Sequence, residues 1–144
     1  MSVIAWDGKT LAADKRASCG SYFRTTTKIF KHGMGLFGYA GEASAGEEVF
    51  AWFRDGHNAD KFPTSQRDKD DYAGLLVVWD NGELWKYERT PFPLKYPPQQ
   101  FAIGSGCDFA LAAMYCGKTA SEAVEVACQF NIWCGNGIDT LTHG

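Results

Sequence analysis

The chemistry this chain could perform is concentrated at its start. Ser2 follows Met1 and opens a strand-like run, Val3-Ile4-Ala5-Trp6. With Met1 removed, one residue carries both a hydroxyl nucleophile and a free α-amine. An α-amine has an unperturbed pKa of roughly 7.7–8, so it can take a proton near neutral pH without help from a histidine. Serine after the initiator methionine is also common in chains with no such chemistry. The reading therefore depends on whether the rest of the sequence supplies the other parts of a site.

Competing chemistries find little support. His32, His57 and His143 are far apart and form no metal-ligand pattern, so neither a metal nor a cofactor is expected. The five cysteines, Cys19, Cys107, Cys116, Cys128 and Cys134, are odd in number and contain no CxxC pair. Neither a disulfide framework nor a zinc ribbon is indicated, and a reducing cytoplasm is the expected home. Cys107 and Cys134 read as packed thiols, because no adjacent histidine would activate them. A net charge of −3 argues against nucleic acid as partner, and the short basic stretch from Arg24 to His32 is too small to reverse that. No apolar run approaches the length of a membrane span, and no signal peptide is expected before the first strand. With 144 residues, 45% hydrophobic and 22% charged, the expectation is one globular domain over 1–144.

The elements that must position Ser2 follow from turn chemistry and periodicity. Val3–Trp6 and Lys9–Asp14 flank Asp7-Gly8, a hairpin signal. Strands are expected at Thr26–Lys31 and Met34–Tyr39, around Gly33. Glu42–Arg54 repeats Ala45, Val49 and Phe53 at helical spacing and closes at Asp55-Gly56. Residues 57–71 are polar and contain Pro63, which predicts an exposed loop. Tyr72–Asp80 and Glu83–Arg89 bracket Asn81-Gly82, a second hairpin. The proline-rich stretch from Pro91 to Pro98 is extended and unsuited to a central strand. Phe101–Ile103 leads into Gly104-Ser105-Gly106. Two helices follow, Asp108–Tyr115 and Thr119–Gln129, the second capped by Thr119 or Ser121. Ala120, Ala123, Ala127 and Phe130 share one face of it. Gly135-Asn136-Gly137 precedes a last strand, Ile138–Leu141. This order predicts an α+β fold, two antiparallel sheets between helical layers.

The segments "SVIAWDGKTLAADKRASCGSY", "TKIFK", "GYAGEASAGEEVFAWF", "AIGSGCDFALAA" and "GNGIDT" occur in that order. Together they resemble the proteasome β-subunit and HslV-type peptidase family, the N-terminal nucleophile hydrolases. The resemblance implies a four-layer αββα sandwich whose nucleophile is the first residue of the mature chain. It also implies a homo-oligomer, in a ring or another assembly, acting on peptide or protein substrates, with an ATP-dependent unfoldase as a candidate partner.

Carried over by position, Ser2 falls where the family has its nucleophilic threonine. Asp14 matches the acidic residue ending the second strand, and Lys28 the strand lysine beside the nucleophile. Gly41 matches the glycine whose N–H contributes to the oxyanion hole. Ser105 matches the serine that hydrogen-bonds near the terminal amine, and Arg16 a supporting arginine. Tyr39 and Ala43 flank Gly41 and would line the first substrate pocket. The chain departs from the pattern in several places. Ser replaces Thr, which loses the methyl that fixes the rotamer. Asn131 and Cys134 stand where proteasome subunits often carry Asp and Ser. The first hairpin and the segment before Lys28 look shorter than in the family.

The same residues also admit plain structural roles. Asp14 and Lys28 could be an ordinary ion pair, Gly41 a strand-to-helix corner and Ser105 a helix cap. Three functions therefore stand: a serine-based amide hydrolase of this fold, an inactive scaffold or binding protein that self-assembles, and an amidohydrolase acting on a small molecule.

Overall fold

The computed structural model describes residues 2–67, 70 and 72–144. Strand β1 (Ile4–Trp6) runs into β2 (Thr10–Asp14) through the Asp7-Gly8 turn. There the Asp7 Oδ1 accepts the N–H groups of Lys9 at 2.9 Å and Thr10 at 2.8 Å, an aspartate-closed turn. A short ribbon follows, β3 (Arg16–Cys19) paired with β4 (Tyr22–Thr25). Next come β5 (Ile29–His32), β6 (Gly35–Gly41) and helix α1 (Ala43–Arg54). Then β7 (Ala73–Trp79), β8 (Leu84–Tyr87), β9 (Leu94–Tyr96) and β10 (Phe101–Ile103) lead to the helices α2 (Cys107–Tyr115) and α3 (Ala120–Phe130). Strand β11 (Ile138–Thr142) closes the order.

Two antiparallel sheets result, one ordered β10-β1-β2-β11 and the other β5-β6-β7-β8-β9. The strands β1, β2, β6 and β7 within them are buried on two faces, and the period-two alternation of strand side chains sorts residues between those faces. From β1, Ile4 and Trp6 join Leu11, Leu36, Leu76, Val78 and Leu84 between the sheets. Val3 and Ala5 point the other way, against an alanine-rich surface made by Ala110, Ala113, Ala120, Ala123 and Ala127 of α2 and α3. On the far side, Val49, Phe50 and Phe53 of α1 cover Phe37, Leu75 and Val77. The layers are therefore α2 and α3, sheet, sheet, α1, an α+β sandwich of the expected kind. Small alanines allow α2 and α3 to lie close to the sheet that carries Ser2. No helix of the described residues is long and apolar enough to cross a membrane.

Several expectations change. The β3–β4 ribbon is absent from the sequence reading, because its two strands are short and mostly exposed, with no core-facing alternation to reveal them. The strand expected from Thr26 begins at Ile29, since the Thr26 N–H is taken by the Lys15 carbonyl at 2.8 Å. Residues 57–71 are not simply an exposed loop. Short 3₁₀ turns at Ala59–Lys61 and Thr64–Arg67 bury Phe62 and Gln66, while Asp68, Lys69 and Asp71 lie outside the described residues. Phe130 is 70% exposed and Val124 takes its place on the buried face of α3. At the end of the helix Phe130 instead stacks on Phe109, with ring centroids 5.8 Å apart. Thr119, not Ser121, caps α3, in a capping box with Glu122.

Candidate active site

Ser2 precedes β1 and is 3% exposed. Across from it, Lys28 stands just ahead of β5, itself 4% exposed. The Lys28 Nζ donates to Ser2 Oγ at 2.9 Å and to Asp14 Oδ1 at 2.8 Å. Asp14 is the last residue of β2, fully buried, and its carboxylate is saturated. Oδ1 also accepts the Val3 N–H at 3.1 Å, and Oδ2 accepts the N–H groups of Arg16 at 3.2 Å and Gly135 at 3.0 Å. A buried ion pair is tolerated only when its remaining lone pairs are satisfied, and here they are.

The opposite side of Ser2 is held by the loop before α2. Ser2 N donates to Ser105 Oγ at 3.1 Å, and the Ser105 hydroxyl reaches back to the Ser2 carbonyl at 3.5 Å. The same carbonyl accepts the Gly106 N–H at 3.0 Å. Gly104 makes this approach possible: it has φ +96°, and a Cβ there would collide with the Ser2 carbonyl oxygen. Ser105 is thus held by its contacts with Ser2, and α2 has no side-chain cap. The Asn131 amide donates to the Ser105 carbonyl at 3.0 Å, so it braces this loop. Cys134 is buried nearby. Burial, then the negative charge of Asp14, pushes its thiol up to about 11, which makes it a packed group and no nucleophile.

Gly41 ends β6 with φ +130°, and a Cβ there would meet the Tyr72 carbonyl at 2.5 Å. It lies opposite Ala73 of β7, while the next residue, Glu42, donates its N–H to the Tyr72 carbonyl at 3.4 Å. Antiparallel pairs alternate between bonded and non-bonded types, so Gly41 occupies a non-bonded pair and its N–H lies on the side away from β7. That is the side of Lys28, whose carbonyl accepts the Tyr39 N–H at 3.2 Å.

A cavity of about 150 Å³ opens at Ser2, lined also by Lys28, Gly41, Tyr39, Ala43 and Arg16. Tyr39 is fixed as a wall by its hydroxyl, which donates to Glu47 of α1 at 2.7 Å. Burial, together with that carboxylate, raises the Tyr39 phenol above its ordinary range. Glu42, at the cavity rim, caps α1: its carboxylate accepts from the Ser44 hydroxyl at 2.6 Å and the Ala45 N–H at 2.7 Å. The Ser44 hydroxyl, with the backbone N–H groups of Ala45 and Ser44, holds the Glu42 carboxyl below its ordinary value despite partial burial. Arg16 is held by the Ile132 carbonyl at 2.7 Å and Asn136 Oδ1 at 2.9 Å, and lies over the Phe23 ring.

The ten residues singled out in the sequence therefore converge on one end of the sandwich. Ser2, Asp14, Lys28 and Ser105 form one bonded chain. Gly41, Tyr39, Ala43 and Arg16 border the cavity, while Asn131 and Cys134 lie behind the Ser105 loop. Sequence reasoning missed Gly135, whose N–H completes the Asp14 shell. The segment Gly135-Asn136-Gly137 reads as a turn, and nothing in its composition signals a carboxylate contact. Among the described residues, no three His, Cys, Asp or Glu side chains converge to hold a metal.

No family model matches this chain, and no curated protein is similar to it in sequence. Solved structures are similar in fold. Eukaryotic HslV from Trypanosoma brucei superposes with a TM-score of 0.69 over 97% of each chain, at 18% identity. Thiobacillus denitrificans BPH in complex with epoxomicin gives 0.68 over 97% of this chain and 96% of that one, at 16% identity. A second structure of Thiobacillus denitrificans BPH gives 0.67, covering 97% of this chain and 95% of that one, at 18% identity. Over nearly its whole length, the chain shares the α+β sandwich fold of HslV and BPH.

Proposed function

We infer that this chain is an amide-bond hydrolase acting on peptides, with Ser2 as nucleophile once Met1 has been removed. The observation that carries the reading is the buried chain Asp14–Lys28–Ser2, with contacts of 2.8 and 2.9 Å, opening onto a cavity that Gly41 borders. Met1 lies outside the described residues.

In this reading, Ser2 Oγ attacks the substrate carbonyl and its proton passes to the Ser2 α-amine, directly or through one water. The ammonium of Lys28 favours the neutral form of that amine and supports negative charge growing on Oγ. Ser105 holds the amine by one N–H, which orients its lone pair. The Gly41 N–H donates to the tetrahedral oxyanion, a contact typically contributing about 2.7–4 kcal/mol. The intermediate collapses to an ester on Ser2 as the scissile C–N bond breaks, and the protonated amine gives its proton to the leaving nitrogen. Water then attacks the ester by the same route, releasing the acid and restoring Ser2. Tyr39 and Ala43 would contact the side chain before the scissile bond. Arg16, Asn131 and Cys134 would support the site without touching substrate.

Self-association belongs to the same reading. It is supported by the fold and by exposed Phe92, Phe130 and Ile132, apolar side chains a monomer leaves in water. Sedimentation of the purified chain would measure it.

The test of the enzymatic reading is mass spectrometry after exposure to a peptide epoxyketone. That electrophile is closed into a ring only by a hydroxyl and a free amine on one residue. Loss of Met1 and a single adduct on Ser2, absent in Ser2→Ala, is expected. A retained Met1 in the functional particle, with no adduct, would leave the self-assembling scaffold as the reading.

A further inference from the structure

We propose that Gln66 is a positioning residue for Gly41: its side-chain amide replaces the missing end of a strand and so fixes the edge against which Gly41 lies. This rests on the reading of Gly41 as the oxyanion donor.

Gln66 is 0% exposed although it sits in a polar segment, and its amide is used from both ends. Its Nε2 donates to the Ala73 carbonyl at 2.5 Å and to the Glu88 carbonyl at 3.2 Å, while its Oε1 accepts the Ala73 N–H at 3.0 Å. The pairing of β7 with β8 explains why. It ends at Leu75 opposite Tyr87, two residues short of Ala73. Ala73 faces Gly41 in a non-bonded pair on the β6 side, so its own N–H and C=O point toward the place where β8 has already stopped. Left alone, both would be buried without partners, which is costly. Gln66 supplies one acceptor and one donor at the spacing of a peptide group, and its second N–H ties in Glu88.

The consequence reaches Gly41 through contact. A Cβ on Gly41 would meet the Tyr72 carbonyl at 2.5 Å and Ala73 Cα at 2.9 Å, so the backbone of Gly41 lies directly on the stretch that Gln66 clamps. If Ala73 shifts, the contact that keeps Gly41 at φ +130° shifts with it, and its N–H leaves the line to the oxyanion.

The experiment compares the wild-type chain with Gln66→Met, which keeps the length but loses donor and acceptor, and Gln66→Glu. Three readouts are taken: kcat and KM on a peptide substrate, affinity for a peptide aldehyde that forms a tetrahedral adduct, and the Gly41 amide resonance. The expected result is a fall in kcat of up to about 100-fold at similar KM, with aldehyde affinity falling in parallel and the Gly41 amide displaced. In Gln66→Glu the displaced resonance should return as pH is lowered, because a protonated carboxyl regains the donor toward the Ala73 carbonyl. That pH-dependent return keeps the test decisive if Gln66→Met does not fold. A folded variant with kcat, aldehyde affinity and the Gly41 resonance unchanged would overturn the proposal. If the wild-type chain turns over no substrate and forms no adduct, the enzymatic reading fails. The resonance still decides whether Gln66 holds Gly41.

Discussion

Asp14 and Lys28 are buried against each other, with side chains 0% and 5% exposed and a contact of 2.8 Å. Removing one charge from such a pair strands the other in a dry environment. Asp14→Asn is therefore expected to destabilise the fold by roughly 3–5 kcal/mol. Pairing Asp14→Leu with Lys28→Met removes the stranded charge but leaves the N–H groups of Val3, Arg16 and Gly135 without their acceptor, so it should recover only part of that stability and none of the activity. Chemical denaturation alongside adduct formation at Ser2 would check both halves. Activity in the double variant would show that the pair serves only the fold.

Gly41→Ala tests the corner beside the cavity. The added Cβ must either displace the Tyr72 carbonyl or rotate the residue out of φ +130°, and either turns the N–H. The strain is on the order of 1–3 kcal/mol. The kcat should fall about 10²- to 10³-fold, the scale of losing one oxyanion donor. Kinetics with a thermal melt would distinguish this from unfolding.

Which of these parts could be seen without coordinates depended on how local they are. Ser2 and Asp14 belong to one hairpin closed by the Asp7-Gly8 turn, and Lys28 follows shortly after it, past the β3–β4 ribbon and just ahead of β5. The alanine spacing of α3 and the corner after Tyr39 are equally local. The closing contacts are not. Gly135 reaches Asp14 from 121 residues away through a backbone N–H, which has no side-chain signature. Gln66 belongs to a segment whose polarity reads as solvent-exposed, and only the early end of β8 makes burying its amide favourable. Phe130 shows the reverse error: it has the right spacing for the core, but it stands at the last turn of its helix, beyond the sheet.

Asp7 couples the hairpin that follows Ser2 to the outer helical layer, since its Oδ2 accepts the Ala120 N–H at the start of α3 at 2.8 Å. Partial burial opposes ionisation of this carboxyl, but the N–H groups of Ala120, Thr10 and Lys9 outweigh it and hold it below its ordinary value. With the folded value below the unfolded one, the stabilisation is fully present above the unfolded value. It is lost as pH falls through the folded one. Asp7→Asn should lower stability at neutral pH by about 1 kcal/mol, the typical scale of a lost cap. The gap between variant and wild type should close toward pH 3. Denaturant midpoints measured from pH 7 to pH 3 would show it, and a constant gap would contradict the assignment.

The thiols should divide by environment. Burial raises Cys134 to about 11 and also raises Cys128 and Cys107, the last aided by Asp108. Cys19 and Cys116 are exposed. Brief alkylation of the folded chain near pH 7.5 should modify Cys19 and Cys116, leave Cys134 untouched, and spare adduct formation at Ser2. Inactivation that tracks labelling of Cys134 would mean the loop behind Ser105 opens in solution.

The Ser2 carbonyl is gripped by Gly106, the following amide by Asp14, and the hydroxyl by Lys28. Each of these anchors acts at or after the Cα of Ser2. In the proposed reading, cleaving the bond ahead of Ser2 leaves these three anchors unbroken, so the alcohol keeps its seat when the amine is set free.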